Sequence, residues 1–330
     1  MRGLSLSLAL LLGGVASAQT PAPLAPAPVG SVAQAPIVIT DAPIVQGSGS
    51  AVFDQADGAR NFLQSDHEFD DFIGPMTAPI LSKDPRSLTE LRPLFISNWI
   101  PKGNAALRGG DFQVYAAQVR VAITDRLTFI ADKDGLATIN LPGAQSQTGF
   151  LDLAAGLKYT LYRDVENQAL GTIGFLYEAP TGEANVFQNH GSGVVTVFGV
   201  YGQEFGDKWH LVLNQAFQFG LDSKQNSSFF FTQVHIDKQL FGWLYPLAEL
   251  NWYQYVNGGD RGLPSILGEG DGLINLGTSG MSGRDLLTAA LGVKARVSRN
   301  FETGVAWETP LSSRKDLMLH RLQVEMIFRY

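Results

Sequence analysis

Leu317–Tyr330 reads LMLHRLQVEMIFRY. Counting back in twos from Tyr330 gives Phe328, Met326, Val324 and Leu322, whereas the positions between are Arg329, Ile327, Glu325, Gln323 and Arg321. Successive side chains of a strand point to opposite faces, so this stretch has one apolar face and one mostly charged face. A soluble sheet would lay the apolar face on its core. A tilted crossing of a bilayer by a strand of about 10 residues shows the same alternation, with the apolar face toward lipid. Whether the rest of the chain repeats the pattern decides between them.

From Leu91 onward the alternation recurs about a dozen times. Tyr115, Ala117, Val119, Val121 and Ile123 oppose Gln118, Arg120 and Thr124. Leu151, Leu153, Ala155, Leu157, Tyr159 and Leu161 oppose Asp152, Lys158 and Thr160; Leu287 to Val297 oppose Thr288, Lys294, Arg296 and Ser298. Fainter strands are expected at about 92–100, 126–133, 168–179, 193–205, 208–220, 228–240, 243–256 and 300–309. The connections alternate too. Thr124–Asp125, Arg163–Asn167, Gly206–Asp207, Phe241–Gly242 and Ser298–Asn300 are tight, whereas about 101–109, 134–148, 180–191, 221–227, 257–284 and 310–315 are long and rich in Gly, Asn and Ser. Short turns on one side and long loops on the other predict an all-β fold: a transmembrane, antiparallel, up-and-down β-barrel of about 12 strands. Both barrel ends then lie on the short-turn, periplasmic side.

Composition agrees. The chain has 330 residues with Gly 36, Phe 20 and only 17% charged residues, and after the first twenty residues no run approaches the roughly 18 apolar residues of a spanning helix. A membrane protein of this sequence must therefore be a closed barrel, with its backbone groups paired between strands. The net charge of -7 argues against nucleic acid as a partner. With no cysteine there is no disulfide, thiolate site or lipid-modified cysteine.

Met1–Ala18 reads as a signal peptide: Arg2, the apolar run Leu4–Leu12, and the small-x-small end Ala16–Ala18. Residues 19–49, rich in Pro, Ala and Val, read as a disordered arm, residues 50–90 as a periplasmic or plug segment, and residues 91–330 as the barrel. Asp66, Glu68, Asp70 and Asp71 lack the Gly hinge and terminal Glu of a calcium loop, which leaves a solvated acidic turn. Trp99, Tyr177, Trp209, Trp243, Tyr245, Trp252, Tyr253, Tyr255, Trp307 and Tyr330 fall near strand ends, as two interfacial girdles would require.

Several stretches resemble a family. Asp84–Pro93 (DPRSLTELRP), Gly109–Asp111, Phe229–Phe231 with His235, Tyr245–Pro246 leading into Glu249–Tyr253, and Ile327–Tyr330 resemble a group of uncharacterised outer-membrane barrels. Those are similar, more distantly, to barrels associated with meta-pathway phenol degradation and hydrophobic-compound uptake. The resemblance covers about 55–330. It implies an outer-membrane location and transport, and assigns no catalytic residue.

By parity the candidate lumen-lining residues are the bases Arg120, Lys158, Lys294, Arg296 and Arg321, the acids Asp237, Glu249, Glu302, Glu308 and Glu325, and His235. Both signs share one cavity, so the lumen is either a narrow hydrated path or a paired network that plugs it. Leu322, Val324, Met326, Phe328 and Tyr330 form the candidate assembly signal for the barrel-assembly machinery. The function expected is a channel or passive transporter for small solutes, hydrophobic or aromatic ones included, surrounded by outer-membrane lipid. The alternatives are a structural envelope barrel and an outer-membrane phospholipase. The last would need a Ser–His pair facing lipid, and His320 alone has the outward parity, with no serine evidently beside it. No catalytic, cofactor-binding or metal residue is expected.

Overall fold

Alternation sets which way each residue faces, and hydrogen-bond register closes the sheet. In a computed structural model that describes residues 61–330, β1 (Glu90–Trp99) pairs with both β2 (Asp111–Ala122) and β14 (His320–Arg329), so no edge is left open. β3 (Leu127–Ala131) and β4 (Gly135–Asn140) both pair with β2 and are two halves of one barrel strand. β5 (Gln147–Phe150) and β6 (Leu153–Asp164) likewise pair with β4 and β3 and make the next. β7 (Ala169–Ala179), β8 (Val194–Phe205), β9 (Trp209–Gly220), β10 (Ser228–Lys238), β11 (Leu244–Asn257), β12 (Asp285–Ser298) and β13 (Phe301–Pro310) follow as antiparallel neighbours. The result is a closed twelve-strand antiparallel barrel. Closure leaves no unpaired backbone edge facing lipid. The signal peptide expected at 1–18, the arm expected at 19–49 and residues 50–60 lie outside the described residues.

The expected faces hold along β14: Val324, Met326 and Phe328 are exposed on the outside, while Gln323, Glu325, Ile327 and Arg329 are buried within. Two expectations fail where the alternation slips. The loop expected over 134–148 contains β4 and the start of β5. Thr128 and Ile130 face inward before residues 132–134, but Ala137 and Ile139 face inward after them, because Asp132 and Lys133 are both buried. Leu151 and Asp152 are also both buried, so Leu151 faces inward rather than continuing the outer row of Leu153 to Leu161. Two adjacent residues on one face mark a bulge, and a bulge shifts the apolar period by one.

The aromatic girdles also need correction. Trp99, Trp209, Trp243, Trp252 and Trp307 face outward, but Tyr245, Tyr253 and Tyr255 are buried in the lumen. Leu250 and Trp252 take the outer face of β11, which turns its odd positions inward. There Tyr253 packs on Phe229 and Phe231 of β10, with ring centroids 6.2 and 5.1 Å apart.

Candidate functional site

The barrel interior is occupied by the chain itself. Residues 61–89 enter beside the start of β1 and the end of β14, where Ser65 N–H donates to the Tyr330 carbonyl at 2.9 Å. They then run up the lumen, and side chains from nearly every strand bind their backbone. Arg296 donates to the Phe72 carbonyl (2.6 Å), Lys294 to that of Gly74 (2.7 Å), Arg92 to that of Pro75 (3.1 Å) and Gln118 to that of Pro79 (2.9 Å). Lys158 binds the carbonyls of Asp84 and Arg86 at 2.6 and 2.5 Å, and Thr172 that of Pro85 at 2.6 Å. Glycines leave room where the segment touches the wall. A Cβ at Gly202 would stand 2.9 Å from the Pro85 ring, and one at Gly304 3.0 Å from the Met76 sulfur.

The acidic wall grips the segment in the opposite sense. Glu249 accepts from the backbone N–H of Met76 (2.7 Å) and Thr77 (2.8 Å) and from the Thr77 hydroxyl. Behind it lies a chain of groups on β11, β10, β9 and β8, buried except for Glu204 at the rim. Glu249 meets His235 Nδ1 at 2.7 Å, His235 Nε2 meets Asp237 at 3.0 Å, Asp237 meets His210 Nδ1 at 2.8 Å, and His210 Nε2 meets Glu204 at 3.3 Å. Each imidazole is thus held between two carboxylates, and the row runs from the short-turn rim to the segment at mid-barrel. On the other wall Arg120, Glu90, Arg329, Glu302 and Arg296 form a continuous ion-pair girdle with links of 2.6, 3.1, 2.8 and 3.0 Å. Above it Glu325 takes Arg92 and Lys294, and Glu308 takes Arg321 at 3.4 Å. Buried charges are tolerated only when paired like this.

All eleven candidate lumen residues therefore point inward, Arg296 at the partly exposed rim and the other ten buried. They do not line an open path: residues 61–89, from the stretch expected to be a periplasmic or plug segment, run between them. Outside that set, Arg92, Glu90 and the segment's own Lys83, Asp84 and Arg86 also belong to the lumen, as does His210, which shares the luminal parity. Lys83 pairs with Asp132 at 2.6 Å, and Arg86 clasps Asp84 through two nitrogens at 3.0 and 2.7 Å. The DPRSLTELRP block was thus a signal in plain view: it is where segment and first strand meet the lumen charges. The turn at 66–71 is more than a solvated acidic one, since Asp66 pairs with Arg163 and Asp71 with Lys208.

Toward the long loops the filling becomes apolar. Ile80 and Leu81 of the segment pack in one cluster with Phe112, Phe229, Phe231, Tyr253 and Tyr255. Leu273, Ile274, Leu276 and Met281 of the loop at 258–284 fold down onto the same cluster. Three loop carboxyls are buried in this lid. Burial pushes Asp316 up to about 6 despite Arg314 at 2.5 Å, burial together with Asp316 pushes Asp271 well above the ordinary carboxylate range, and burial raises Glu269.

No family model matches the sequence, and no curated protein does. Among solved structures, an outer membrane channel from Pseudomonas putida F1 superposes with a TM-score of 0.55 at 14% identity, over 78% of this chain and 100% of that one. The KdgM porin gives 0.44 at 9% identity, over 73% of this chain and 99% of that one. Outer membrane phospholipase A from Escherichia coli gives 0.36 at 9%, over 72% of this chain and 92% of that one. At such identities the first of these speaks for the fold alone: a transmembrane β-barrel of the outer-membrane type.

Proposed function

We propose that this protein is an outer-membrane channel for small solutes whose resting state is closed by its own residues 61–89. The observation that carries the reading is that lumen lysines, arginines and glutamines bind the segment through its backbone carbonyls. Water can replace such contacts one for one, so the lining stays solvated when the segment leaves. A purely structural barrel needs no such charges, because apolar packing of equal volume is as stable or more so. The inward aromatic cluster of Phe229, Phe231, Tyr253 and Tyr255 lies across the long-loop half of the route, which favours small hydrophobic or aromatic permeants. That agrees with the resemblance to hydrophobic-compound uptake barrels. The outward residues Leu322, Val324, Met326, Phe328 and Tyr330 serve as the assembly signal, and the long loops face outside the cell.

The absence of native cysteine makes a reversible clamp possible. Asn251 donates to the Thr77 hydroxyl at 2.8 Å, so the thiols of T77C/N251C are neighbours that a short, reducible thiol-specific linker can bridge as an oxidised clamp. In planar bilayers the oxidised clamp is expected to be silent and the reduced protein to open. If the reduced protein carries no current and its liposomes take up no solute, the channel reading fails and the structural envelope barrel replaces it.

A further inference from the structure

A cavity lies away from the lumen, on the outer flank of the barrel at the long-loop end. It measures about 840 Å³, the size of a small-molecule pocket. Its wall on the barrel side is aromatic and faces lipid. Trp99 at the end of β1 and Trp307 on β13 lie 5.5 Å apart, and His320 at the start of β14 stacks on Trp307 at 5.2 Å. Leu319 and Ile266 extend the apolar lining. Tryptophans at this height belong to the membrane interface, where acyl chains give way to headgroups.

The overhanging loops supply the opposite chemistry. Lys102, Arg284 and Lys315 are exposed, line the same cavity, and are not within ion-pair distance of any carboxylate among the described residues. Asp316 is the single acid in the lining; Arg314 takes it at 2.5 Å, while Arg284 acts on it only from beyond ion-pair distance and donates to the Ser265 hydroxyl at 3.2 Å. One terminal nitrogen of Arg314, also in the lining, has no hydrogen-bond partner. An apolar aromatic wall beneath a cluster of unpaired cations matches one class of ligand: an amphiphile with an anionic phosphate head.

We propose that this cavity binds one phosphorylated lipid of net negative charge from the leaflet on the long-loop side, its phosphate under Lys102, Arg284 and Lys315 and an acyl chain along Trp99 and Trp307. Headgroup phosphates are recognised by basic pockets at membrane level in this way, each cation adding to the attraction. The site does not depend on the channel reading, because it lies outside the lumen and requires only the transmembrane barrel.

The test uses the full-length protein in a non-ionic detergent, titrated with phosphatidylglycerol or phosphatidylcholine carrying brominated acyl chains. Tryptophan quenching reports the chain, and native mass spectrometry counts bound lipid. One phosphatidylglycerol is expected to bind at least about tenfold more tightly than phosphatidylcholine. K102E/K315E should abolish that preference, whereas K224E, on another long loop, should leave it intact. W99F/W307F should keep the bound lipid but lose most of the saturable quenching. Equal binding of the two lipids, equal effects of K224E and K102E/K315E, or undiminished quenching in W99F/W307F would each overturn the proposal.

Discussion

Glu249→Gln isolates the grip on the inner segment, because it changes one oxygen to an amide nitrogen without altering volume. The two carboxylate oxygens of Glu249 each accept a backbone N–H, from Met76 at 2.7 Å and from Thr77 at 2.8 Å. A glutamine keeps one acceptor, so one of these buried donors faces an NH2 group and goes unsatisfied. That costs about 1–3 kcal/mol, and loss of the charge facing His235 acts in the same direction. The cost falls on the seated state alone, since a released segment donates to water. The open population should therefore rise about 5- to 150-fold. A Ser82→Cys thiol reads this out, because Ser82 is buried in the segment and its wall. With an impermeant maleimide, labelling tracks the open fraction when reseating outpaces reaction. The S82C/E249Q protein should label faster than S82C by that factor, with both equally inserted and heat-modifiable. Equal labelling would refute the claim that Glu249 holds the segment.

Three further outcomes are expected. Asp260→Cys and Lys224→Cys should label on intact cells, whereas Asp125→Cys and Asp207→Cys should label only after permeabilisation; the reverse would invert the topology. Val324→Arg puts a cation on the lipid face and should cut the inserted fraction in line with a cost of about 2–4 kcal/mol, while Val297→Arg, by the short turn after β12, should cost about 0–1 kcal/mol; similar losses would place the membrane elsewhere. Because the Asp316 carboxyl binds its proton more tightly in the packed lid than in the unfolded chain, the stabilisation is complete below the ordinary value near 4 and is lost as pH rises through about 6. Amide protection of the loop at 258–284 should fall between pH 5 and 7, and D316N should flatten that dependence; protection that stays constant in the unmodified protein would remove Asp316 as the cause.

The alternation of LMLHRLQVEMIFRY, repeated down the chain, was enough to determine a membrane barrel and which charged side chains point inward. Facing is a local property: neighbours on a strand must point apart, so Glu325 and Val324 are separated by the backbone alone. Loop lengths are local as well, and they fixed the strand order. Where a bulge breaks the local rule, as at Asp132–Lys133 and Leu151–Asp152, the apolar period shifts by one and β4 carries no continuous alternation to mark it as a strand. What occupies the lumen was not local at all. Met76 and the carboxylate that holds it are 173 residues apart, and nothing in either neighbourhood specifies the other. Parity could place Glu249 and Lys294 inside, but only the closed barrel decides whether Glu249 meets water or backbone N–H groups, and Lys294 water or a backbone carbonyl. Closure brings ten strands' worth of donors and acceptors around one short segment, and their mutual satisfaction is a property of the assembled wall.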